Sequence, residues 1–392
     1  MNGNDTRNDS PFAGIGYGPM ILGLVGLAAL GAAYIQGNEK GVLQSYVFGY
    51  ICFVVLTLGC FGLTLLQHTI RAQWALPFQR LWEAGGGPAA LLTMGILFLP
   101  IAFGMGKIFP WMDPHHIDGI ILAKQNYLNQ EFFLIRAAIY FLIWIGLASY
   151  LRASSLREDS SRDPNEAIKR TNVSAPSIVL FVITVTFAFT DWAMSLEPHW
   201  FSTVYGLWFV VGMALMAVSF ATILVVSNYR SRLYEGLVHP GWTRDVGNML
   251  LTLTMLWAYL TLSQFLIIWA ANLKEEIPYY ISRSHGGWNV LGVILIVGQF
   301  FAPFMALLAP RTKAFPRLLV ALATWIFVMR FLDMFWVIAP AFRTEGLSVL
   351  WTDLAAVLGI GAIWLSVFGV QLRRAALLPR YDPRIPQVLE HA

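Results

Sequence analysis

Apolar residues in this chain fall in blocks of about twenty, long enough for a helix to cross about 30 Å of hydrocarbon, and charged residues collect between the blocks. Ten blocks can be read, at residues 17–36, 43–66, 88–109, 132–151, 176–197, 204–228, 248–271, 288–309, 317–340 and 348–371. A transmembrane barrel would need short strands alternating apolar and polar positions, and the chain shows no such alternation. In lipid a helix satisfies its own backbone, so the pattern predicts an all-α polytopic membrane protein with ten transmembrane helices. The divisions are an N-terminal segment 1–16, a first membrane block 17–151, a polar loop 152–175, a second membrane block 176–371 and a tail 372–392. The first apolar run is too long for the h-region of a signal peptide and reads as a retained span.

Spans two to five and six to nine predict two four-helix bundles, with the first and tenth spans as peripheral helices. Weak internal matches support a duplication. Leu91-Leu92-Thr93-Met94 of the third span corresponds to Leu250-Leu251-Thr252-Leu253 of the seventh, and Asp191 and Asp333 each precede a proline, Pro198 and Pro340, by seven residues. Both halves begin on the same side, a parallel repeat, which argues against many secondary transporters.

Composition narrows the function. Of the 392 residues, 57% are hydrophobic and 12% charged, about half the charged share of a soluble domain, which excludes a water-soluble enzyme. The net charge of +4 is spread without a basic block, so no nucleic acid is expected as a partner. Cys52 and Cys60 lie in one apolar segment without a CxxC pattern, leaving iron–sulfur, zinc and disulfide frameworks without ligands. Of seven histidines only His68 falls at a helix end, which disfavours haem between helices. By loops and helix ends, 18 Lys and Arg fall on the N-terminal side and six on the other, so both termini are expected in the cytoplasm. Trp111, Trp200, Trp269 and Trp288 stand at the outer edges, where an interfacial aromatic belt is expected.

Ionisable residues within the spans are costly and few. Asp191 lies in the outer half of the fifth span, with Glu197 and His199 six and eight positions further out. This ascending series suits proton transfer, and the alternative is a packing aspartate bonded to a nearby Ser or Trp. Arg330 and Asp333 sit at i and i+3 on the ninth span and are expected to pair, leaving Asp191 the freer of the two aspartates to change protonation. Asp353, near the outer end of the tenth span, is a relay candidate or a helix cap. Glu131 reads as a first-turn acid, and His68 with Arg71, Gln67 and Gln73 as a polar inner rim that admits protons or faces headgroups. Asp191 and His199, with Asp113, His115 and His116, offer polar contacts to a quinol head, and Trp192, Trp200 and Tyr205 offer rings to stack on it. The 110–116 loop equally suits docking of a partner.

At TDWAMSLEPHWFSTVYG (190–206), SQFLIIWAANLKEEIPYYISR (263–283) and HGGWNVLG (285–292), the chain resembles the second of the two NrfD/PsrC-type membrane subunits of bacterial alternative complex III, a quinol:cytochrome c oxidoreductase. The resemblance runs from the second span onward and implies residence in the bacterial inner membrane. It implies partnership with iron–sulfur and multihaem c-type cytochrome subunits and with a sister NrfD-like membrane subunit. Quinol, as menaquinol or ubiquinol, would be oxidised near the outer face, with a c-type cytochrome or terminal oxidase downstream. For this subunit it implies a quinone pocket, a proton-conducting role or a scaffold. The competing readings are a membrane anchor of a molybdopterin-type, polysulfide reductase-like complex and a secondary transporter.

Overall fold

The computed structural model describes residues 16–379 apart from 164 and 235, together with Phe12, Asp382 and Arg384. Arg7, Arg380, His391 and most of the predicted terminal segments 1–16 and 372–392 beyond residue 379 lie outside the described residues, as does the His116 side chain.

Among the described residues, ten helices are long and apolar enough to cross a membrane, at Gly18–Ile35, Glu39–Ile70, Leu76–Phe103, Gln130–Ser161, Asn165–Leu196, Tyr205–Ser227, Pro240–Ala271, Trp288–Leu308, Pro316–Ala341 and Trp351–Arg373. The protein is all-α and polytopic, as the block pattern predicts. "Outer" below denotes the end that the charge bias assigns outside.

Burial decides which spans are central. The apolar window of the second span is 89% buried and that of the sixth 72%, whereas the first is only 17% buried. A helix apolar all round is stable in lipid or protein alike, so placement here follows from which neighbours can approach. The second span packs on the third, fifth and sixth, and the sixth packs on the seventh and ninth, so the two four-helix bundles meet along spans two and six. Gly59 permits that contact, because a Cβ there would lie 2.2 Å from the Met213 carbonyl oxygen. The first and tenth spans pair with each other, and the tenth, 56% buried over its apolar window, also lies on the second. A Cβ at Gly26 would come within 2.9 Å of the Gly359 Cα, the small-residue contact expected of helices associating in lipid.

Three expectations change. The polar stretch 152–175 is not an open loop: the fourth span continues to Ser161 and the fifth begins at Asn165. Its charges stabilise helix instead of breaking it. Arg170 pairs with Glu158, Lys169 with Glu166 at 2.9 Å and Arg157 with Glu166 at 3.1 Å, so the polar helix ends hold one another. The third span starts at Leu76, not 88, and is interrupted at Gly86 and Gly87 before Pro88. This places Arg80 inside the protein beside Glu83 at 2.8 Å. Finally, Trp111, Trp200 and Trp288 are buried against other rings and do not form a lipid belt, while Trp269 is exposed as expected.

Candidate functional site

The outer end of the first bundle gathers the strongest candidate chemistry. Asp191, the last turn of the fifth span, is completely buried. Arg136, two turns into the fourth span, reaches it with a two-pronged fork: Nε donates to Oδ2 and Nη2 to Oδ1, both at 2.8 Å. The Tyr140 hydroxyl, one turn further along the same helix, donates to Oδ2 at 3.0 Å. Residues i and i+4 share a helix face, so the pair arrives on Asp191 together. Arg136 Nη1 donates to the Tyr127 carbonyl at 2.9 Å, and the guanidinium lies 3.8 Å from the Tyr127 ring centre and 4.3 Å from that of Phe132. The fork, the hydroxyl and the rings together replace the water that both charges would lose on burial.

The expectation that Asp191 is the unpaired aspartate is therefore corrected. Its counterpart was invisible in local spacing because Arg136 lies 55 residues away in the chain. Asp333 is paired as expected, with Arg330 one turn below it, and also accepts from Trp257 Nε1 at 3.2 Å. Here the arginine is less completely used, with Nε and Nη2 of Arg330 buried and without a hydrogen-bond partner.

Beside Asp191 lies a cavity of about 380 Å³, walled by Tyr127, Thr190, Met194, Ser195 and Trp200 and bordered by Lys124. Asp191 stands behind this wall: its neighbour Thr190 and its hydrogen-bond partner Ser195, which donates to the Asp191 carbonyl at 2.5 Å, face the space. Two contacts tie the 118–128 segment across the cavity to the chain after the fifth span. Lys124 Nζ donates to the Pro198 carbonyl at 2.6 Å, and His199 Nε2 lies 2.6 Å from Asp118 Oδ2. The Ile121 backbone N–H and the His199 ring hold the Asp118 carboxyl below its usual range, and burial pushes the Lys124 ammonium down.

The ascending series Asp191, Glu197, His199 does not form one chain of contacts. Each takes a different partner: Arg136 for Asp191, Arg283 for Glu197 at 2.7 Å, and Asp118 for His199. Of the three rings expected to stack on a ligand, Trp200 borders the cavity. Trp192 points into the bundle core, ringed by Phe98, Phe141 and Trp144, and Tyr205 lies behind Trp200 at 5.3 Å, fully covered.

The remaining candidates are local. Asp353 caps its helix, accepting from the Leu350 N–H at 2.7 Å while Ser45 and Arg343 bind its other oxygen at 2.7 and 2.6 Å. Glu131 is an exposed first-turn acid. His68 is not on an open rim: it is buried 3.4 Å from Glu83, which also accepts from Gln79 at 3.0 Å and Ser155 at 2.8 Å. Glu83 was missed because the segment holding it reads as a connection between apolar blocks.

These features define a class, a helical membrane protein with ten spans among the described residues, a buried arginine–aspartate pair in each of two four-helix bundles and a ring-lined cavity at one end. Comparison does not carry the identification further: no protein-family model matches the chain, and no curated protein matches it.

Proposed function

We propose that the protein is a membrane subunit of a respiratory quinol:electron-acceptor oxidoreductase of the alternative complex III type, seated in the bacterial inner membrane with both termini cytoplasmic. The outer cavity takes the quinol head. The observation that carries this reading is the juxtaposition of a cavity of about 380 Å³, an aromatic wall at Trp200 and the buried, hydrogen-bonded carboxylate of Asp191, whose chain neighbour Thr190 lines the cavity. The ring rests against Trp200 and Met194, and the Tyr127, Ser195 and Lys124 side faces its hydroxyls. Oxidation releases two protons and two electrons from the quinol. The protons leave through the polar side of the cavity, with Asp191 as acceptor and Arg136 restoring it to the charged form. The electrons pass to iron–sulfur and haem groups on partner subunits. Carboxylates in both bundles then support proton movement across the subunit.

A second reading has its own support. The fork from Arg136 satisfies Asp191 so fully that the aspartate serves as a packing pin in a scaffold subunit. Asp191→Asn in the intact complex separates the two, with quinol oxidation and proton release measured together. The quinol reading expects a complex that assembles and oxidises quinol about a hundredfold more slowly. Parental rates of both processes would reject it, and loss of assembly would favour the pin.

A further inference from the structure

The cavity at Asp191 belongs to the first bundle, but one of its walls is held from the second. Trp200 is stacked face to face on Tyr279, with ring centres 4.0 Å apart and planes 14° apart. Behind Tyr279 lies Arg283, its guanidinium 3.5 Å from the ring centre. Arg283 is buried and uses nearly every donor it has. Nη2 binds Glu197 at 2.7 Å and the Val337 carbonyl at 2.9 Å, Nη1 binds the Tyr279 carbonyl at 2.9 Å, and Nε binds the Trp336 carbonyl at 3.3 Å. Glu197 follows the fifth span, while Trp336 and Val337 are the third and fourth residues after Asp333 on the ninth.

One guanidinium thus joins the chain after the Asp191 helix to the outer turn of the Asp333 helix and backs the plate on which Trp200 lies. A planar group with fixed donor directions suits this task, and a lysine, with one point of charge, does not. We propose that Arg283 is a positioning residue through which the second bundle sets the width of the cavity beside Asp191. Removing it frees Tyr279 and lets Trp200 swing. As a statement about quinol the inference rests on the function proposed above, but its geometric core does not.

The test has two arms. The first is independent of any ligand. Met194 lines the cavity, and the native thiols Cys52 and Cys60 are buried, so Met194→Cys supplies a reporter whose reaction rate with a small methanethiosulfonate measures access to the cavity. Arg283→Lys and Tyr279→Leu, each added to M194C in the full-length protein, are expected to change that rate at least about threefold, whereas Glu197→Gln, which leaves the carbonyl contacts and the stack in place, changes it less. Tyr279→Leu keeps the carbonyl that Arg283 binds, so it remains informative where the arginine variant fails to fold. Equal rates in M194C, M194C/R283K and M194C/Y279L would overturn the proposal, as would equal effects of E197Q and R283K, which would reduce Arg283 to a simple counter-ion.

The second arm measures binding of decylubiquinone to the intact protein. Wild-type binding that Trp200→Ala weakens supports the function reading, and R283K then weakens it with the same rank order as the labelling rates. Binding that W200A leaves untouched rejects the quinol assignment of this cavity while the labelling arm still decides the role of Arg283.

Discussion

Two buried aspartates, each seven residues before a proline in its own bundle, solve the same electrostatic problem differently. Asp191 takes its arginine from a neighbouring helix in a bidentate fork and adds a tyrosine hydroxyl. Asp333 takes its arginine from its own helix, one turn below, with a tryptophan N–H from the seventh span. The first arrangement ties helices together through charge, and the second neutralises a charge locally while leaving two Arg330 donors without partners. The lesson is that an interhelical pair is a fold determinant, while an intrahelical pair leaves unused donors that ordered water can fill.

Breaking the interhelical pair from the arginine side is expected to have the largest effect. Arg136→Met leaves a buried carboxylate with no cation to answer it and should cost ~4–5 kcal/mol of unfolding free energy, read by denaturant or steric-trap titration in bicelles. The double variant R136M/D191L should recover most of that loss, because a well-packed apolar pair has no desolvation penalty. In the second bundle Asp333→Asn is expected to cost less, ~3 kcal/mol, since the amide oxygen still accepts from Trp257 and from Arg330. Equal costs in the two bundles would erase the distinction. Tyr140→Phe removes one hydrogen bond to a charged group while the fork stays, an expected ~1.5 kcal/mol.

The smallest effect is at the exposed Asp118–His199 contact. The folded protein holds the Asp118 carboxyl below its ordinary range, so its contribution is fully present above the unfolded value of about 4 and fades as pH falls through the lower folded value. Asp118→Asn should lower neutral-pH stability slightly, by the contribution the carboxylate makes above its unfolded value, and should remove the acid-side step from a pH series of unfolding measurements. A step that survives in D118N would assign it to another group.

How much of this was legible in the sequence depends on distance along the chain. The ten spans were readable because lipid demands long apolar runs, and the Arg330–Asp333 pair because a helix brings i and i+3 together. Asp191 was readable as a costly acid, but Arg136 was not readable as its partner, since the pairing depends on how the fourth and fifth spans rotate against each other. Glu83 and Arg80 escaped for a different reason. Their segment lacks a long apolar run, yet it folds back as helix and buries its charges against one another. The helical ends across 152–175 were hidden by their polarity, which reads as loop until the cross-helix pairs are seen. Arg283 lies between two apolar blocks, where nothing in its neighbourhood announces carbonyl partners 53 and 54 residues away.

The most direct test of a quinol-binding outer cavity is photolabelling of the native membrane complex with an azido-quinone, followed by mapping of the adducts by mass spectrometry. Adducts at Tyr127, Met194 or Trp200, suppressed by excess unmodified quinone, are the predicted result. Competable labelling confined to other regions of this chain, or to partner subunits alone, would contradict it.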